Sequence, residues 1–367
     1  MAPFWKKFNL GFLNSFKGKD GFVALDIGSS SIKLVETAFE RSGFRLRNIG
    51  MLPLPQEAIQ QNMVVESAPL IEVVRRLMKE NGISATKVIC GVPGRAVIMK
   101  KIQMPRQTDQ ELETNIEFEA NNVIPENLNN VNLDYQVLNL LDGGNKMEVL
   151  LVAVKKEIVN SYADVIEEAG LSPAVMDVDY FAMENMYEAN YAPQPGGGMV
   201  GLVHMGARYT SVTLLENGYS TFTGDLTVGG EDFTETLRRE LNVSSEAAEA
   251  AKVKGSLDGQ TKLDLETMLK PAMEDIVDEI RRTVSLYGTV GASEGEGLKQ
   301  LYLSGGGAKV PGLRGLLEER LGIPINLTDP FRGFVLDKNI DKHFLAESAS
   351  LFAVAAGLSI RRPGDNR

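Results

Sequence analysis

The sequence is poor in the residues that build disulfides, zinc sites and histidine-based catalytic centres. Its 367 residues include one cysteine, Cys90, and two histidines, His204 and His343. A single cysteine cannot form an intrachain disulfide, and it excludes a zinc site built from cysteine pairs. Two histidines leave little material for a histidine-rich metal centre. Chemistry in this chain is therefore expected to use carboxylates and backbone amides.

Long apolar runs and an excess of positive charge are also absent. No stretch approaches the roughly 18 to 20 apolar residues that a membrane-spanning helix needs. The formal net charge of -11 argues against a general nucleic-acid surface, which needs clustered lysine and arginine. A composition of 43% hydrophobic and 24% charged residues is typical of a folded chain, and the length predicts two domains.

Residues 1–22 form a basic, aromatic segment that precedes the first predicted strand. Because the segment has no continuous apolar stretch and no small-residue cleavage site, it is not expected to be a signal peptide. Two interpretations stay open. It could be an amphipathic helix on a membrane surface, or a lead-in segment that packs on the first domain or is partly ordered.

The two halves of the sequence share a local pattern. Residues 26–28 (DIG) and 204–206 (HMG) each end an apolar strand at a glycine turn, and a second strand follows. A linker at residues 192–198 (APQPGGG) separates the halves. Self-similarity at this long spacing indicates a duplicated domain, because a solenoid repeats every 20 to 50 residues or so. Two similar lobes that meet at their glycine turns would form a cleft.

The first turn has the composition of a phosphate-binding loop. Asp26 ends a buried strand, where its carboxylate can hold a hydrated divalent cation. Gly28 permits a tight turn, and the amides and hydroxyls of residues 29–31 (SSS) can surround phosphate oxygens. The pattern is not the GxxxxGK[ST] loop. An ordinary β-hairpin is the alternative, because Asp, Gly and Ser are common in such turns.

Three further segments could complete a nucleotide site. The second turn, residues 206–210, would clamp phosphates from the other side, and the helix that begins at Gly229 and Gly230 presents its amides. Residues 304–309 (SGGGAK) join a strand to a helix, and their glycines would let the backbone lie against an adenine. A second hairpin and a flexible strand-to-helix connection are the alternatives.

The order of these segments resembles a known superfamily over nearly the whole chain. Hairpin, connector, hairpin, Gly-Gly helix start, glycine triplet and last helix follow one another as in actin, heat-shock chaperones and sugar kinases. In particular, the sequence resembles the PilM family of type IV pilus assembly proteins, with the cell-division protein FtsA a more distant relative. The segments that resemble the small inserted subdomain (1C) of PilM and FtsA are residues 97–105, 111–125, 132–138 and 168–178.

The resemblance implies an α/β class and a two-lobed actin-like and heat-shock-chaperone-like ATPase fold. Such a fold consists of duplicated RNase H-like domains, here with a small inserted SHS2-type subdomain. The expected organisation is a first lobe at residues 23–86 and 172–192, to which the final helix at 346–360 returns, an inserted subdomain at 87–171, and a second lobe at 199–345.

The resemblance also implies a site for ATP and Mg²⁺, with Asp26 as the metal ligand. The residues that carry over are Asp26, Gly28, Ser29, Ser30, Ser31 and Lys33 in the first phosphate loop, Gly206, Ala207, Arg208 and Thr210 in the second, Gly229, Gly230, Glu249 and Lys252 beside the nucleoside, and Gly305, Gly306 and Gly307 over the base. Asp179 matches the position where relatives place a Gln or Glu that orients the attacking water. A helix-capping Asp is the alternative there.

His204 departs from the pattern of the superfamily. Relatives that hydrolyse ATP usually carry an Asp two positions before the second-loop glycine. A neutral imidazole is a poorer partner for hydrated magnesium and cannot supply the same charge during phosphoryl transfer. An ordinary strand residue satisfied by hydrogen bonds is the alternative for His204. In both cases the chain is expected to bind ATP and to be at most a slow ATPase.

The function implied by the resemblance is that of a cytoplasmic, ATP-binding scaffold at the inner face of the bacterial inner membrane. Its expected partners are the cytoplasmic N-terminal peptide of the inner-membrane protein PilN and other components of the pilus machine, with no nucleic acid. The peptide would lie between the first lobe and the inserted subdomain. The alternatives are a small-molecule kinase or ATPase of the same superfamily and an FtsA-like filament-forming division protein. The C-terminal sequence IRRPGDNR does not read as the basic membrane helix of FtsA.

Overall fold

The computed structural model describes residues 21–41, 43–55, 57–191, 198–216, 218–257, 261–287 and 297–365. The predicted segment at 1–22 and the linker at 192–198 lie almost entirely outside these ranges. The strands that the described ranges contain are, in chain order, β1 (Phe22–Ile27), β2 (Ser31–Glu40), β3 (Gly43–Pro53), β4 (Ile59–Gln60), β5 (Met63–Val64), β6 (Lys87–Val92), β7 (Val97–Pro105), β8 (Val131–Leu141), β9 (Lys146–Lys155), β10 (Ser172–Val178), β11 (Met199–Met205), β12 (Thr210–Glu216), β13 (Tyr219–Leu226), β14 (Ser256–Leu257), β15 (Thr261–Lys262), β16 (Leu298–Ser304), β17 (Ile325–Leu327) and β18 (Val335–Leu336).

The helices follow the local signals of the sequence. Thr108 and Glu111 form a reciprocal capping box at the start of one helix, and Ser244 caps another that ends at Gly255 in a left-handed conformation. The α-helices of the described ranges are α1 (Ser67–Glu80), α2 (Asp109–Val123), α3 (Lys156–Glu168), α4 (Asp179–Asn190), α5 (Gly230–Leu241), α6 (Ser245–Lys254), α7 (Leu265–Tyr287), α8 (Leu313–Leu321), α9 (Lys342–Ser348) and α10 (Ala353–Ser359).

The two main sheets have the same topology. In the first, the order β3-β2-β1-β6-β10 places three antiparallel strands beside two parallel ones, with the short β18 added outside β3. In the second, β13-β12-β11-β16-β17 repeats this order and these directions. The duplication expected from the sequence is therefore confirmed in the connectivity of the strands.

A shared apolar core joins the two lobes. Helices α4 and α10 pack on each other, and a Cβ on Gly357 would lie 1.7 Å from the carbonyl oxygen of Ala182. The core around these helices includes Ala24 of β1 together with Val200 and Leu202 of β11. Both helices pack on strands of the first sheet, and through this core they also border β11 of the second sheet.

The inserted subdomain has a core of its own but is smaller than predicted. The sheet β7-β9-β8 packs on the Leu112, Ile116 and Ala120 face of α2. The predicted start at residue 87 is wrong because it assigns β6 to the insertion. β6 pairs with β1 and β10 in the first sheet and is buried on both faces. The predicted end at residue 171 is wrong because it includes α3. The face of α3 that carries Tyr162 packs in the core of the first lobe.

The C-terminal segment returns to the first lobe earlier than predicted. β18 pairs with β3, although the sequence assigned residues up to 345 to the second lobe. The predicted single helix at 346–360 is also interrupted, because a 3₁₀ turn at Ala349–Phe352 separates α9 from α10. This tighter turn directs the carbonyl of Ser350 to the amide of Gly305, at 2.9 Å. None of the described helices is long and apolar enough to cross a membrane.

Candidate functional site

The two glycine turns have the same backbone geometry. The amide of Gly28 donates to the carbonyl of Ser31 at 3.1 Å, and the amide of Gly206 donates to the carbonyl of Tyr209 at 2.9 Å. In each turn a Cβ on the glycine would approach that carbonyl oxygen, at 3.3 Å in the first turn and 3.1 Å in the second. The sequence similarity between the halves therefore corresponds to the same tight turn at the end of each first strand.

A charged pair fills the first turn. Asp26 pairs with Lys33 across the β1–β2 ladder, and Lys33 Nζ lies 3.1 Å from Asp26 Oδ2. Both side chains are mostly buried, at 14% and 12% exposed. Residues 29–31 continue the turn, and Ser30, which is exposed, accepts a backbone hydrogen bond from Leu54. The predicted first-loop residues thus lie together at one end of β1.

A neutral imidazole holds the equivalent position in the second turn. His204 Nδ1 lies 3.0 Å from the hydroxyl oxygen of Ser304, which is fully buried. Burial lowers the pKa of His204 to about 4, while Asp26 acts to raise this pKa and Lys33 to lower it. At Nδ1, His204 therefore matches the predicted alternative of a strand histidine satisfied by a hydrogen bond.

The start of α5 is built against the second turn. The amides of Gly230 and Glu231 donate to the carbonyls of Gly206 and Ala207, at 2.9 and 2.8 Å. A Cβ on Gly229 would lie 2.5 Å from the carbonyl oxygen of Ala207, so only glycine permits this approach. The two glycines singled out in the sequence are thus explained by close packing of backbone on backbone.

Helix α6 is fastened to the start of α5 by polar side chains. Lys252 Nζ donates to the carbonyl of Gly230 and to the hydroxyl of Thr234, both at 2.8 Å. The Glu249 carboxylate lies 2.6 Å from Lys252 Nζ and accepts a hydrogen bond from the hydroxyl group of Thr234. The predicted nucleoside-flanking residues therefore form one connected cluster.

The glycine triplet divides into two buried residues and one exposed residue. Gly305 has φ +87°, and a Cβ there would lie 2.2 Å from the carbonyl oxygen of Met205. A Cβ on Gly307 would meet the Met205 side chain at 2.4 Å. Gly306 is exposed and has nothing within 4 Å of its Cβ position. Gly306 is accordingly the member of the triplet that offers a flat, open surface to a planar ligand.

Asp179 lies in the first turn of α4 and fastens a neighbouring loop. Its Oδ1 accepts a hydrogen bond from the amide of Gly94 at 2.8 Å. Burial, with a smaller contribution from the nearby Asp225, raises the pKa of Asp179 to about 8. Asp225 in turn accepts a hydrogen bond from the hydroxyl group of Tyr180. Asp179 is the first residue of α4 and Val178 is the N-cap residue, while the Asp179 carboxyl also accepts a hydrogen bond from the amide of Tyr180 in the first turn. The alternative of an Asp that supports the start of its own helix therefore stays open.

The Thr210 side chain is placed differently from the prediction, and Arg208 has an additional contact with the other lobe. The Thr210 side chain is fully buried and its hydroxyl donates to the carbonyl of Val228 at 2.8 Å, so it cannot supply a polar group to the cleft. Arg208 reaches the other lobe, where Nη1 donates to the carbonyl of Ile59 at 2.6 Å, and its Nε contacts Glu231. The second loop therefore also serves as a contact between lobes.

A polar cavity of about 350 Å³ lies beside the second turn. Its lining residues are Arg95, Arg208, Tyr209, Thr227, Glu231 and Asp232. The sequence reasoning missed Arg95, whose guanidinium lies 4.3 Å from the ring centre of Tyr209, because nothing in the sequence around it signals this contact. A larger surface hollow of about 400 Å³ between α1 and α3 contains none of the predicted site residues.

The donor set suits a cation that arrives with a nucleotide better than a free metal site. Among the described residues no group of three or more His, Cys, Asp or Glu side chains could hold a metal ion. Mg²⁺ is commonly held by one or two carboxylates together with substrate phosphates and water. Asp26 fits that requirement as the single carboxylate of the first turn.

Comparison with known families decides where this arrangement belongs. The family model described as type IV pilus assembly protein PilM matches residues 24–363. The chain belongs to the PilM family. A solved PilM–PilN type IV pilus biogenesis complex is similar in structure, with a TM-score of 0.80 and 28% identity over 94% of this chain and 98% of that chain.

More distant relatives share the fold. The cell-division protein FtsA of Streptococcus pneumoniae is 23% identical over 356 residues, which is 84% of this chain and 75% of FtsA. The ethanolamine utilization protein EutJ of Carboxydothermus hydrogenoformans has a TM-score of 0.57 at 15% identity, over 92% of this chain and 88% of that chain. The chain has the two-lobed, actin-like ATPase fold that the sequence predicted.

Proposed function

We propose that this PilM family member is a nucleotide-binding scaffold for type IV pilus assembly. It binds ATP with a divalent cation between the two glycine turns and docks the cytoplasmic N-terminal peptide of PilN at the inner face of the inner membrane. The observation that carries the nucleotide part is the matched pair of turns, Gly28 to Ser31 and Gly206 to Tyr209, beside an open glycine surface at Gly306.

The residues of the cleft divide the expected work. The amides of Ser29 and Ser30 in the first turn, and of Ala207 and Arg208 in the second, would bind phosphate oxygens, because turn amides can form anion-binding concavities. The amides at the start of α5 already donate within the protein, so the helix start supports the second turn rather than the phosphates. Asp26 would hold Mg²⁺, which supplies charge neutralisation for the phosphates when bound. Glu249 and Lys252 would flank the nucleoside, and Gly306 would face the base. Thr210 is omitted from this set because its hydroxyl is buried.

Slow turnover follows from the protonation states of the cleft. His204, with a pKa of about 4, is uncharged at neutral pH and does not replace a carboxylate. Asp179, with a pKa of about 8, is mainly protonated at pH 7 and then cannot accept a proton from an attacking water. The cleft is therefore suited to hold a nucleotide and to change the arrangement of the lobes rather than to turn over rapidly.

The entry to the inserted subdomain supplies a physical connection from the cleft to the proposed peptide groove. Gly94 is held by Asp179, and the next residue, Arg95, lies over the ring of Tyr209 in the second turn. β7 begins two residues later, at Val97. In addition, Lys101 of β7 donates to the carbonyl of Ser220 in the second lobe, at 2.8 Å. A change at the second turn would thus reach the inserted subdomain through short contacts.

The test is a titration of a labelled N-terminal PilN peptide into the full-length protein, followed by fluorescence anisotropy with and without Mg-ATP. We expect saturable binding whose affinity changes with ATP by roughly fivefold or more. Arg95→Met should reduce this ATP effect, whereas Arg47→Met, an exposed arginine on β3, should leave it unchanged. Absence of peptide binding would refute docking, and an affinity independent of ATP would refute coupling.

A further inference from the structure

Asp26 and His204 hold equivalent positions in the duplicated fold. Each lies two residues before its turn glycine, and each pairs with the start of the next strand, Asp26 with Lys33 and His204 with Ser211. Ala24 of β1 and Leu202 of β11 lie in the same core between the lobes. Because strand side chains alternate between faces, Asp26 and His204, two residues further along each strand, are directed to this same inter-lobe side. The cleft therefore has a carboxylate on one wall and an imidazole on the other, where strict duplication would give two carboxylates.

The orientation of the imidazole is set from behind. The Ser304 hydroxyl oxygen lies 3.0 Å from His204 Nδ1 and 3.3 Å from the carbonyl oxygen of Val203. When the hydroxyl donates to Val203, its oxygen accepts the Nδ1–H of His204. Ser304 itself is fully buried, which fixes the position of its oxygen. With the proton on Nδ1, the lone pair of the ring is on Nε2. This arrangement is the usual one for a histidine that acts as a metal ligand, in which one nitrogen is fixed by a hydrogen bond and the other coordinates.

We propose that the cleft prefers a nucleotide carried by Mn²⁺ or Co²⁺ over one carried by Mg²⁺, with His204 Nε2 as a nitrogen ligand to the cation. The inference rests on the proposed nucleotide binding and specifies its cation. Carboxylates serve Mg²⁺ and Mn²⁺ alike, whereas imidazole favours transition metals. Mg²⁺ retains oxygen ligands and water. A single imidazole opposite Asp26 thus adds affinity for one class of cation and little for the other.

The ammonium of Lys33 does not itself distinguish among divalent cations. Any cation must share Asp26 with Lys33, which lies 3.1 Å from the carboxylate oxygen. This competition weakens the carboxylate for every divalent ion to a similar extent, because it acts through charge. The choice among cations then falls on the donor that distinguishes them chemically, which is the ring nitrogen of His204.

The first test compares Mn-ADP with Mg-ADP by calorimetric titration of the full-length, untagged chain. We expect Mn-ADP to bind at least roughly tenfold more tightly, and His204→Gln to remove most of that preference. Gln keeps a neutral polar side chain but has no ring nitrogen. The control is His343→Gln, because His343 is the other histidine of the sequence and its side chain is 83% exposed. This control should keep the full preference.

The second test looks at the nitrogen directly. Protein labelled with ¹⁵N in the histidine rings is combined with Mn-ADP and examined by electron–nuclear double resonance. A ¹⁵N coupling is expected in the wild type and in His343→Gln, and it should be absent in His204→Gln. No coupling, or an equal preference in wild type and His204→Gln, overturns this inference while nucleotide binding stands. Failure of both metal-ADP complexes to bind a folded protein refutes the proposed function itself.

Discussion

The first turn is held by a charged pair, whereas the second turn is held by packing of backbone on backbone. Asp26 and Lys33 face each other across β1 and β2 at 3.1 Å. The second turn carries the α5 start on its carbonyls, and Gly305 packs on Met205 just before it. The same topology therefore carries two different turns. The first turn presents charged side chains, and the second turn, together with the backbone packed on it (called the second wall below), is rigid and carries a neutral imidazole.

The difference explains why closely packed glycines surround the second turn. Gly229 and Gly305 would each place a Cβ within 2.5 Å of a backbone atom, against 3.3 Å for Gly28 in the first turn. Contacts under 3.0 Å with backbone cannot be relieved by a side-chain rotation, so the whole segment must shift. The second wall should consequently be the less tolerant of substitution.

The largest effect is expected for Gly305→Ala. The new Cβ would lie 2.2 Å from the Met205 carbonyl oxygen at a residue with φ +87°, so both the contact and the backbone conformation oppose it. We expect a loss of about 3 kcal/mol or more in the free energy of unfolding, measured by chemical denaturation.

Gly306→Ala is the matched control for that variant. Gly306 is the next residue, is exposed and has no neighbour within 4 Å of a Cβ. Its change should stay within about 0.5 kcal/mol. Equal effects of the two substitutions would contradict the account of the rigid second wall.

An effect that is smaller for each pH unit, but that accumulates with pH, is expected for Asp179→Asn. The folded-state pKa of Asp179 is raised to about 8, so the folded protein binds a proton that the unfolded chain has released above its ordinary pKa of 3.8. The stabilisation is present at low pH and is lost as the pH rises towards 8, with a slope of up to about 1.4 kcal/mol per pH unit. Denaturation curves of wild type and variant between pH 5 and 8, at constant salt, should diverge with this sign. Parallel curves would show that the carboxyl is ionised in the folded state.

The effect that covers the narrower pH range has the opposite sign and belongs to His204 in the second turn. His204 has a folded-state pKa of about 4, below its ordinary value of 6.5, because burial disfavours its charged form. Its contribution is present above pH 6.5 and is lost as the pH falls towards 4, since the unfolded chain then binds the proton first. His204→Gln should reduce the acid destabilisation, with the exposed His343→Gln as control. A histidine that charges in the folded state at pH 6 would leave the acid limb unchanged.

The sequence predicted the duplicated lobes and the backbone of both turns because each depends on a local pattern. Apolar strands that end in Asp-x-Gly or His-x-Gly dictate the turn by steric rules within a few residues. The side-chain partners could not be predicted in this way. Thr210 bonds to Val228, and Arg208 reaches Ile59, through contacts between segments far apart in the chain.

The prediction of the boundaries of the inserted subdomain failed for a related reason. β6 and α3 border the insertion in sequence, and a short apolar strand or an amphipathic helix carries no mark of the sheet it joins. Only the pairing of β6 with β1 and β10 assigns it to the first lobe. The break before α10 likewise depends on the distant Gly305, which bonds to the Ser350 carbonyl.

The central claim is that the two turns form a nucleotide site, and calorimetric titration of Mg-ATP into the full-length protein tests it most directly. We predict one-site binding that weakens by roughly tenfold or more in Asp26→Ala, measured on variant protein whose circular dichroism spectrum matches that of the wild type. No heat of binding to the folded wild type, or an affinity unchanged by Asp26→Ala, would contradict the claim.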